Sequence, residues 1–291
     1  MRDNVLATAA LLLGLAAGAP AAAPAPPVGR IAFTTVTNDD FDVWTMDAQG
    51  GSRRNLTRHR GYDADPEWSP DGRRIAFTSY RTGRAQLFVT NADGIGLRRL
   101  VRLRGYAFEP AWSPDGSRIA YVASPDGRRD YRIWVMRADG THRRRLSRAF
   151  DWLPSWSPGG RRIAFTSARD GFPSIYVMNA DGSGQRRLLG TVGVDNEAPA
   201  WSPDGRMIAW IHQARLWVMN ADVTGLRPLT PPHVSGVYDD RPEWSPDGST
   251  IVFQTSRPPG GIALVGRDGS GLTYLGTPLR SADPSWQPRR R

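Results

Sequence analysis

The sequence predicts an all-β fold, a six-bladed β-propeller of four-stranded antiparallel blades, and three observations lead to it. A segment built on Pro-x-Trp-Ser-Pro-Asp-Gly recurs six times, an Ile-Ala-Phe-like run accompanies each copy, and the two chain ends carry complementary halves of one repeat. A period of 20 to 50 residues is typical of propellers and solenoids, in which each unit buries its apolar face against its neighbours. The repeated tryptophans are Trp68, Trp112, Trp156, Trp201, Trp244 and Trp286, with spacings of 44, 44, 45, 43 and 42 residues.

Each repeat reads as four strands in order. Two strand-like runs within residues 66–79 flank Ser69-Pro70-Asp71-Gly72, where proline fixes φ and glycine accepts a positive φ, so they predict a hairpin. A third run over residues 86–90 ends in a second turn of similar chemistry, Asn91-Ala92-Asp93-Gly94. The fourth strand is predicted over residues 97–100, and no long segment has a 3.6-residue period.

The chain ends predict that the repeats close into a ring. The first strand, residues 29–33, has no Trp-Ser-Pro segment before it, and the last such segment, residues 284–288, has no Ile-Ala-Phe run after it. The C-terminal Trp strand is therefore predicted to be the innermost strand of the blade that begins at Ile31. A ring closed in this way has no exposed terminal blade.

The combination of Trp-Ser-Pro-Asp-Gly, Ile-Ala-Phe and an intervening Met-x-Ala-Asp-Gly resembles the repeat of the TolB-like β-propellers over residues 28–288. This resemblance implies a non-catalytic protein of the cell envelope that binds a protein or peptide partner. The repeat is also similar to that of the propeller domains of prolyl oligopeptidase relatives and of some polysaccharide lyases. The resemblance therefore specifies the fold more closely than the function.

Residues 1–27 are predicted to be a leader that precedes one propeller domain, residues 28–288, and a basic tail, residues 289–291. The leader has Arg2 at its front, an apolar stretch over residues 5–17 and small residues after it, as a secretory signal does. The apolar stretch is too short to span a bilayer. We therefore expect a periplasmic or secreted monomer without a membrane span. The alternative for residues 1–27 is that they form an Ala/Pro-rich extension instead of a signal.

Composition excludes several classes of function. The chain has no cysteine, which excludes disulfides, thiolate metal sites and a cysteine nucleophile. It also has no Gly-x-Ser-x-Gly motif, so no catalytic residue is predicted. The net charge of +10 comes from 38 basic residues that are all arginine. We interpret this as compositional bias, with many arginines in the predicted outermost strands where charge discourages edge pairing, and expect no nucleic-acid partner.

The loops before each Pro-x-Trp segment are acidic, and a propeller of this type brings them to one mouth of its central channel. A ring of carboxylates there would attract a cation or an Arg/Lys-bearing peptide. The alternative is that these side chains cap turns before proline. The candidate ligand-binding residues are Asp63, Asp65, Glu109, Asp151, Trp152, Asp195, Glu197, Asp239, Asp240 and Asp283.

Aromatic residues accompany the acidic loops. Tyr62, Tyr106 and Tyr238 each lie six residues before a repeat tryptophan, and Trp152 departs from the repeat consensus beside Asp151. Such a rim would suit a peptide or a sugar. Simple packing within the loops is the alternative.

Two histidines are weak metal candidates. His59 and His233 lie in the acidic loops of two blades, and with Asp63 and Asp239 they could form a site of nitrogen and oxygen ligands. We expect no cofactor, with a divalent cation as the possibility to test. A metal-dependent carbohydrate-active enzyme, similar to a polysaccharide lyase, is accordingly the alternative function.

Overall fold

The structure, a computed structural model, describes residues 29–37, 40–190, 193–232 and 236–288, and within these ranges all regular secondary structure is β-strand. The predicted leader and the basic tail lie outside the described residues. The strands form six four-stranded antiparallel sheets, which confirms the predicted all-β propeller. Over the same ranges no helix long and apolar enough to cross a membrane occurs.

The blades are numbered here along the chain, and each is given from its innermost strand outward. Blade 1 comprises β4 (Asp63–Trp68), β5 (Arg74–Ser79), β6 (Gln86–Asn91) and β7 (Arg98–Arg99). Blade 2 comprises β8 (Tyr106–Trp112), β9 (Arg118–Ser124), β10 (Arg132–Arg137) and β11 (Arg144–Arg145). Blade 3 comprises β12 (Asp151–Trp156), β13 (Arg162–Ser167), β14 (Ser174–Asn179) and β15 (Arg186–Leu189).

The remaining blades follow the same order. Blade 4 comprises β16 (Asn196–Trp201), β17 (Met207–His212), β18 (Arg215–Asn220) and β19 (Arg227–Pro228). Blade 5 comprises β20 (Asp239–Trp244), β21 (Thr250–Thr255), β22 (Gly261–Gly266) and β23 (Thr273–Tyr274). Blade 6 comprises β24 (Ala282–Trp286), β1 (Arg30–Thr37), β2 (Asp40–Asp47) and β3 (Arg54–Asn55).

Blade 6 joins the two ends of the chain, as the sequence predicts. The C-terminal strand β24 pairs antiparallel with β1, with Ile31 opposite Trp286. The Gln287 backbone N–H extends this pairing by donating to the Arg30 carbonyl at 2.8 Å. Each sheet then has two edges: the innermost strand, which faces the central channel, and the outermost strand, which is only two to four residues long.

Neighbouring blades are joined by their repeated residues. The indole N–H of Trp156 donates to the Ala111 carbonyl of the preceding blade at 3.1 Å, and Trp244 makes the same bond to Ala200 at 3.0 Å. The aromatic rings pack between the sheets, where most of the repeat tryptophans are buried. Burying side chains of this size is the main favourable contribution of each blade interface.

Arginines of the outermost strands also join the blades. The guanidinium of Arg98 donates to the Asp139 carbonyl in the turn of the next blade at 2.9 Å, and Arg54 and Arg144 make the equivalent bonds. The turns pack closely at the same places: a Cβ on Gly140, whose φ is +90°, would lie 2.4 Å from the Leu100 carbonyl oxygen of the preceding blade. These arginines therefore hold adjacent blades together in addition to charging the sheet edges.

Each innermost strand contains a β-bulge at the residue before its proline. The third residue before each repeat tryptophan has φ between +48° and +53°, and the pairing register shifts there. A bulge re-aims the side chains on either side of it. As a result, the third residue before each tryptophan lines the central channel, and so does the first residue before it in five of the six blades. The third residues are Asp65, Glu109, Leu153, Ala198, Arg241 and Asp283.

Three innermost strands begin with a fully buried aspartate that pairs with an arginine of its own blade. Asp63 pairs with Arg81 at 2.8 Å, and Asp151 accepts two bonds of 3.0 Å from Arg169. In blade 5, Asp239 accepts from the Arg257 guanidinium at 2.9 and 3.2 Å and from two threonine hydroxyls. These carboxylates anchor the strand ends and point away from solvent.

The buried pair of blade 5 yields a stability prediction. Arg257→Gln should lower the free energy of unfolding by about 3–5 kcal/mol, because it leaves the Asp239 carboxylate buried without its cation. Chemical denaturation measures the change. Arg128→Gln is the matched control, since Arg128 pairs with Asp126 on the exposed surface and such a pair contributes at most about 1 kcal/mol. Equal effects of the two substitutions would contradict the structural role of the buried pair.

Candidate functional site

The six innermost strands surround a central channel with two distinct ends. We call the end at which these strands begin the upper mouth, and the end at which they run into the Ser-Pro turns the lower mouth. A cavity of about 230 Å³ lies toward the upper mouth and one of about 780 Å³ toward the lower mouth. The two meet at Glu67 and Glu243, which line both.

An arginine spans the channel below the upper mouth. Arg241 of β20 contacts Glu109 of β8 at 3.0 Å, and these strands lie on opposite sides of the six-bladed ring. The same guanidinium lies 3.7 Å from Asp65 and 3.6 Å from Asp283. One cation thereby connects three carboxylates that come from three blades.

The rest of this ion cluster is also hydrogen-bonded. The second oxygen of Glu109 accepts the Leu153 backbone N–H at 2.8 Å, and Asp65 accepts the Thr78 hydroxyl at 2.8 Å. Burial and the Asp283 carboxylate raise the pKa of Asp65 to about 7, against the opposing charge of Arg241. Burial acts to lower the pKa of Arg241, but four neighbouring carboxylates raise it well above its ordinary value, so this residue stays cationic. They are Glu109, Asp283, Asp65 and Asp240.

A second group of carboxylates, which we call the acidic ledge, comprises Asp195, Glu197 and Asp240. Burial raises the pKa of Glu197, and the charges of Asp240 and Asp195 raise it further. Burial likewise raises the pKa of Asp240, whose carboxylate accepts the backbone N–H of Arg241 at 2.8 Å. The Trp152 side chain is hydrogen-bonded to Glu197. The ledge therefore concentrates negative charge beside an aromatic side chain.

Two runs of contacting aromatic rings, which together we call the aromatic arc, lie at the same end of the channel. In one run the Tyr62 ring contacts Phe41 at 4.7 Å and Tyr80 at 5.5 Å between centroids. The other run continues to the ledge through centroid distances of 5.1 to 6.4 Å. Its members are Tyr106, Phe108, Tyr131, Phe150 and Trp152.

The arc borders the channel carboxylates and is accessible. Burial, followed by the charges of Asp283 and Asp65, raises the pKa of Tyr62 to about 12. Tyr62, Tyr80 and Phe150 are nevertheless 41–46% exposed. The upper mouth therefore combines exposed rings with carboxylates.

The structure brings together part of the predicted acidic ring. Asp65, Glu109 and Asp283 meet at Arg241, and Glu197, Asp240 and Trp152 lie beside them, with Asp195 exposed at the ledge. Asp63, Asp151 and Asp239 do not join them, because each is buried in an ion pair within its blade. Of the predicted aromatic rim, Tyr238 lies outside the arc, beside Gln254.

The structure describes one of the two metal candidates, His59. The backbone N–H of His59 donates to Asp42, and its ring Nδ1 is buried without a hydrogen-bond partner in the described part of the chain. His233 lies outside the described residues. Within residues 29–37, 40–190, 193–232 and 236–288, no three His, Asp or Glu side chains are grouped to hold a metal ion.

Three channel residues were not predicted from the sequence as site residues. Arg241 is a basic residue at a repeat position that is otherwise acidic or apolar, and Glu67 and Glu243 occupy the position before tryptophan where the other repeats have alanine or serine. These departures within aligned repeat positions are the signal that could have found them.

Glu67 and Glu243 form a carboxyl pair in the waist of the channel. Glu67 accepts the Ser285 hydroxyl at 3.1 Å, and burial raises its pKa to about 7. Burial and repulsion from Glu67 raise the pKa of Glu243 well above its ordinary value. The other four positions of this ring are Ala111, Ser155, Ala200 and Ser285, so the ring itself supplies no cation.

Comparison with known families agrees with this architecture. The family model described as "TolB beta propeller domain" matches residues 13–102 and 96–290. The chain belongs to the TolB β-propeller domain family. No curated protein sequence matches this family member significantly.

Solved structures show the same fold. The propeller superposes on TolB from Acinetobacter baumannii with a TM-score of 0.77 at 23% identity, covering 91% of this chain and 68% of that one. For the putative TolB from Agrobacterium tumefaciens the TM-score is 0.67 at 22% identity, with 86% and 88% covered. An oligogalacturonate lyase in complex with manganese gives a TM-score of 0.52 at 16% identity, with 86% and 74% covered. At these identities the likeness concerns the fold.

The waist carboxyl pair predicts an inverse dependence of stability on pH. The folded protein retains protons that the unfolded chain releases above the ordinary glutamate pKa of 4.5, so the free energy of unfolding should fall from pH 5 to pH 8. Glu67→Gln/Glu243→Gln should reduce this fall and stabilise the protein at pH 8 by about 1–3 kcal/mol. Thermal and urea unfolding across this range measure the effect.

The comparison between variants isolates the pair from its charged neighbours. Those are Asp65, Glu109, Arg241 and Asp283 above, and Asp71, Arg73 and Asp115 below. Asp126→Asn, on the exposed surface, is the control and should leave the pH dependence unchanged. A double variant with the wild-type pH slope would contradict the prediction.

Proposed function

We propose that this TolB-family propeller is an exported, non-catalytic binding protein of the cell envelope whose upper mouth binds an Arg- or Lys-bearing peptide segment of a protein partner. The observation that carries the proposal is the acidic ledge placed directly against the aromatic arc. Neither feature alone indicates a ligand, but together they match a side chain that has a charged end and an apolar stem.

The charge of the ledge is available to a ligand. Arg241 forms ion pairs with Glu109, Asp65 and Asp283, whereas within the described ranges no arginine forms an ion pair with a ledge carboxylate. Carboxylates in a recessed site focus negative potential and attract cations. Trp152 at the end of the arc offers a ring face to the same cation, a contact worth about 0.5–2 kcal/mol.

The arc favours a protein partner over a lone ion. Its rings extend from blade 6 across blades 1 and 2 to blade 3, a length that suits an extended segment of several residues. Aromatic residues are enriched in protein interfaces and contribute much of their binding energy. The family and the secretory character of residues 1–27 support a partner in the envelope.

The alternative function, a metal-dependent carbohydrate-active enzyme, requires His59 and His233 at one ion. No observation in the described ranges favours it over binding, and the likeness to the manganese-bound lyase is one of fold.

Binding of synthetic peptides tests the proposal. A fluorescent decapeptide with two arginines and one tyrosine should bind the purified protein, and its counterpart with glutamate for arginine should bind at least tenfold more weakly. Raising the salt concentration should weaken binding, because partly exposed charges are screened. Fluorescence anisotropy measures both affinities.

Variants locate the site. Glu197→Gln/Asp240→Asn and Trp152→Ala should each reduce the affinity for the arginine peptide at least tenfold. Asp93→Asn, in the turn between β6 and β7 and outside both cavities, is the matched control and should bind as wild type does. Equal binding of the two peptides, or wild-type affinity of the ledge variant, would overturn the proposal.

A further inference from the structure

The lower cavity is a second concave site, separate from the upper mouth. Its volume of about 780 Å³ falls in the range typical of small-molecule sites. The walls carry the prolines of all six repeat turns and the edges of the repeat tryptophans, and Glu67 and Glu243 lie at the inner end. The prolines are Pro70, Pro114, Pro158, Pro203, Pro246 and Pro288.

The two rings of channel side chains differ in how their charge is balanced. In the ring that holds Arg241, the chain supplies a cation to three carboxylates. In the ring below, Glu67 has only the Ser285 hydroxyl, and the described residues provide Glu243 with no ion-pair partner. The lower ring is therefore acidic, buried and open to the cavity without an internal cation.

The described lining of the cavity carries more acidic than basic side chains. Asp71 and Asp115 lie at its entrance, in addition to the two glutamates at its inner end. Among the described residues that line the cavity, Arg73 alone is basic, and it is exposed next to Asp71. The lining therefore offers carboxylates at the end of an apolar passage.

We propose that the lower cavity is a binding site for an organic ammonium ion, an amine on an apolar body, whose charge pairs with Glu67 and Glu243. The apolar body contacts the prolines and the tryptophan edges. Arg241 with its carboxylates lies between this site and the upper mouth, so the two sites are entered from opposite ends.

The surroundings favour an organic cation over a metal ion. Calcium requires six to eight oxygen ligands, whereas the inner end of the cavity offers two carboxyl groups and one or two serine hydroxyls. Proline and tryptophan surfaces contribute nothing to metal coordination, but they gain from covering hydrocarbon and from contact with a cation. Shape and charge therefore select the same class of ligand.

Two probes of similar shape separate charge from apolar burial. Titration of the full protein with 2-phenylethylammonium at pH 7.5, followed by isothermal calorimetry, should give at least tenfold tighter binding than titration with 2-phenylethanol. Binding should also change the tryptophan fluorescence, since the repeat tryptophans line the cavity. The ammonium ion should displace protons from the carboxyl pair. Calorimetry in buffers of different ionisation enthalpy measures this release, because the observed binding enthalpy then depends on the buffer.

Glutamine substitutions test the carboxyl pair. Glu67→Gln/Glu243→Gln should remove the preference for the amine over the alcohol and the release of protons. Glu197→Gln/Asp240→Asn should retain both, because the ledge belongs to the upper mouth. If the ledge variant keeps the preference for the amine but loses peptide binding, the two sites are independent. Failure of one proposal can then be distinguished from failure of the other.

Two titrations of the wild-type protein can overturn the proposal without any variant. Equal affinity of wild-type protein for the amine and the alcohol would overturn the proposal, because it would show binding without charge recognition. A Ca²⁺ titration that saturates the wild-type protein and excludes the amine would also overturn it, in favour of a metal site. Single substitutions Glu67→Gln and Glu243→Gln provide the same test should the double variant fail to fold.

Discussion

Closure of the ring by the pairing of β24 with β1 is the constraint on which the rest of the structure depends. It brings six innermost strands around one axis, so residues far apart in sequence face one another across a narrow channel. The proline-linked bulges then direct two side chains into that channel from five of the six blades. Charged groups placed there lose much of their solvation, which is costly unless they are paired or protonated.

The desolvation of charged groups is compensated differently in the ring that holds Arg241 and in the ring that holds Glu67 and Glu243. At the upper level Arg241 spans the ring and neutralises part of the charge of three carboxylates, with a backbone N–H and a hydroxyl completing the bonding. At the waist no cation balances Glu67 and Glu243 within the described residues, and burial raises the pKa of both, which favours their protonated forms. This difference underlies the two proposals made above, a cationic peptide at the upper mouth and an organic ammonium ion in the lower cavity.

The sequence predicts the fold because the same turn-forming and strand-forming residues recur in each repeat. The Ser-Pro-Asp-Gly turns, the Ile-Ala-Phe runs and the unmatched ends specify hairpins and closure, and the structure confirms them. The acidic candidates are less predictable. Asp63 and Asp65 are two residues apart, yet one is buried against Arg81 while the other faces the channel.

Side-chain direction explains this limit. The bulge at Asp65 changes the side of the strand from which its side chain leaves. An aspartate or arginine before a proline does not by itself indicate this left-handed backbone. The ion-pair partners cannot be predicted from local sequence either, because Arg241 and Glu109 are 132 residues apart. Comparison of the repeats position by position would have revealed Arg241, Glu67 and Glu243 as exceptions, but not their contacts.

A double-mutant cycle between Arg241 and Glu109 tests the central claim most directly. These side chains from opposite blades meet in a partly buried ion pair that spans the channel. The free energies of unfolding of wild type, Arg241→Gln, Glu109→Gln and the double variant should give a coupling energy of about 1 kcal/mol or more. Additivity within about 0.5 kcal/mol would contradict the account, because residues that do not touch add independently.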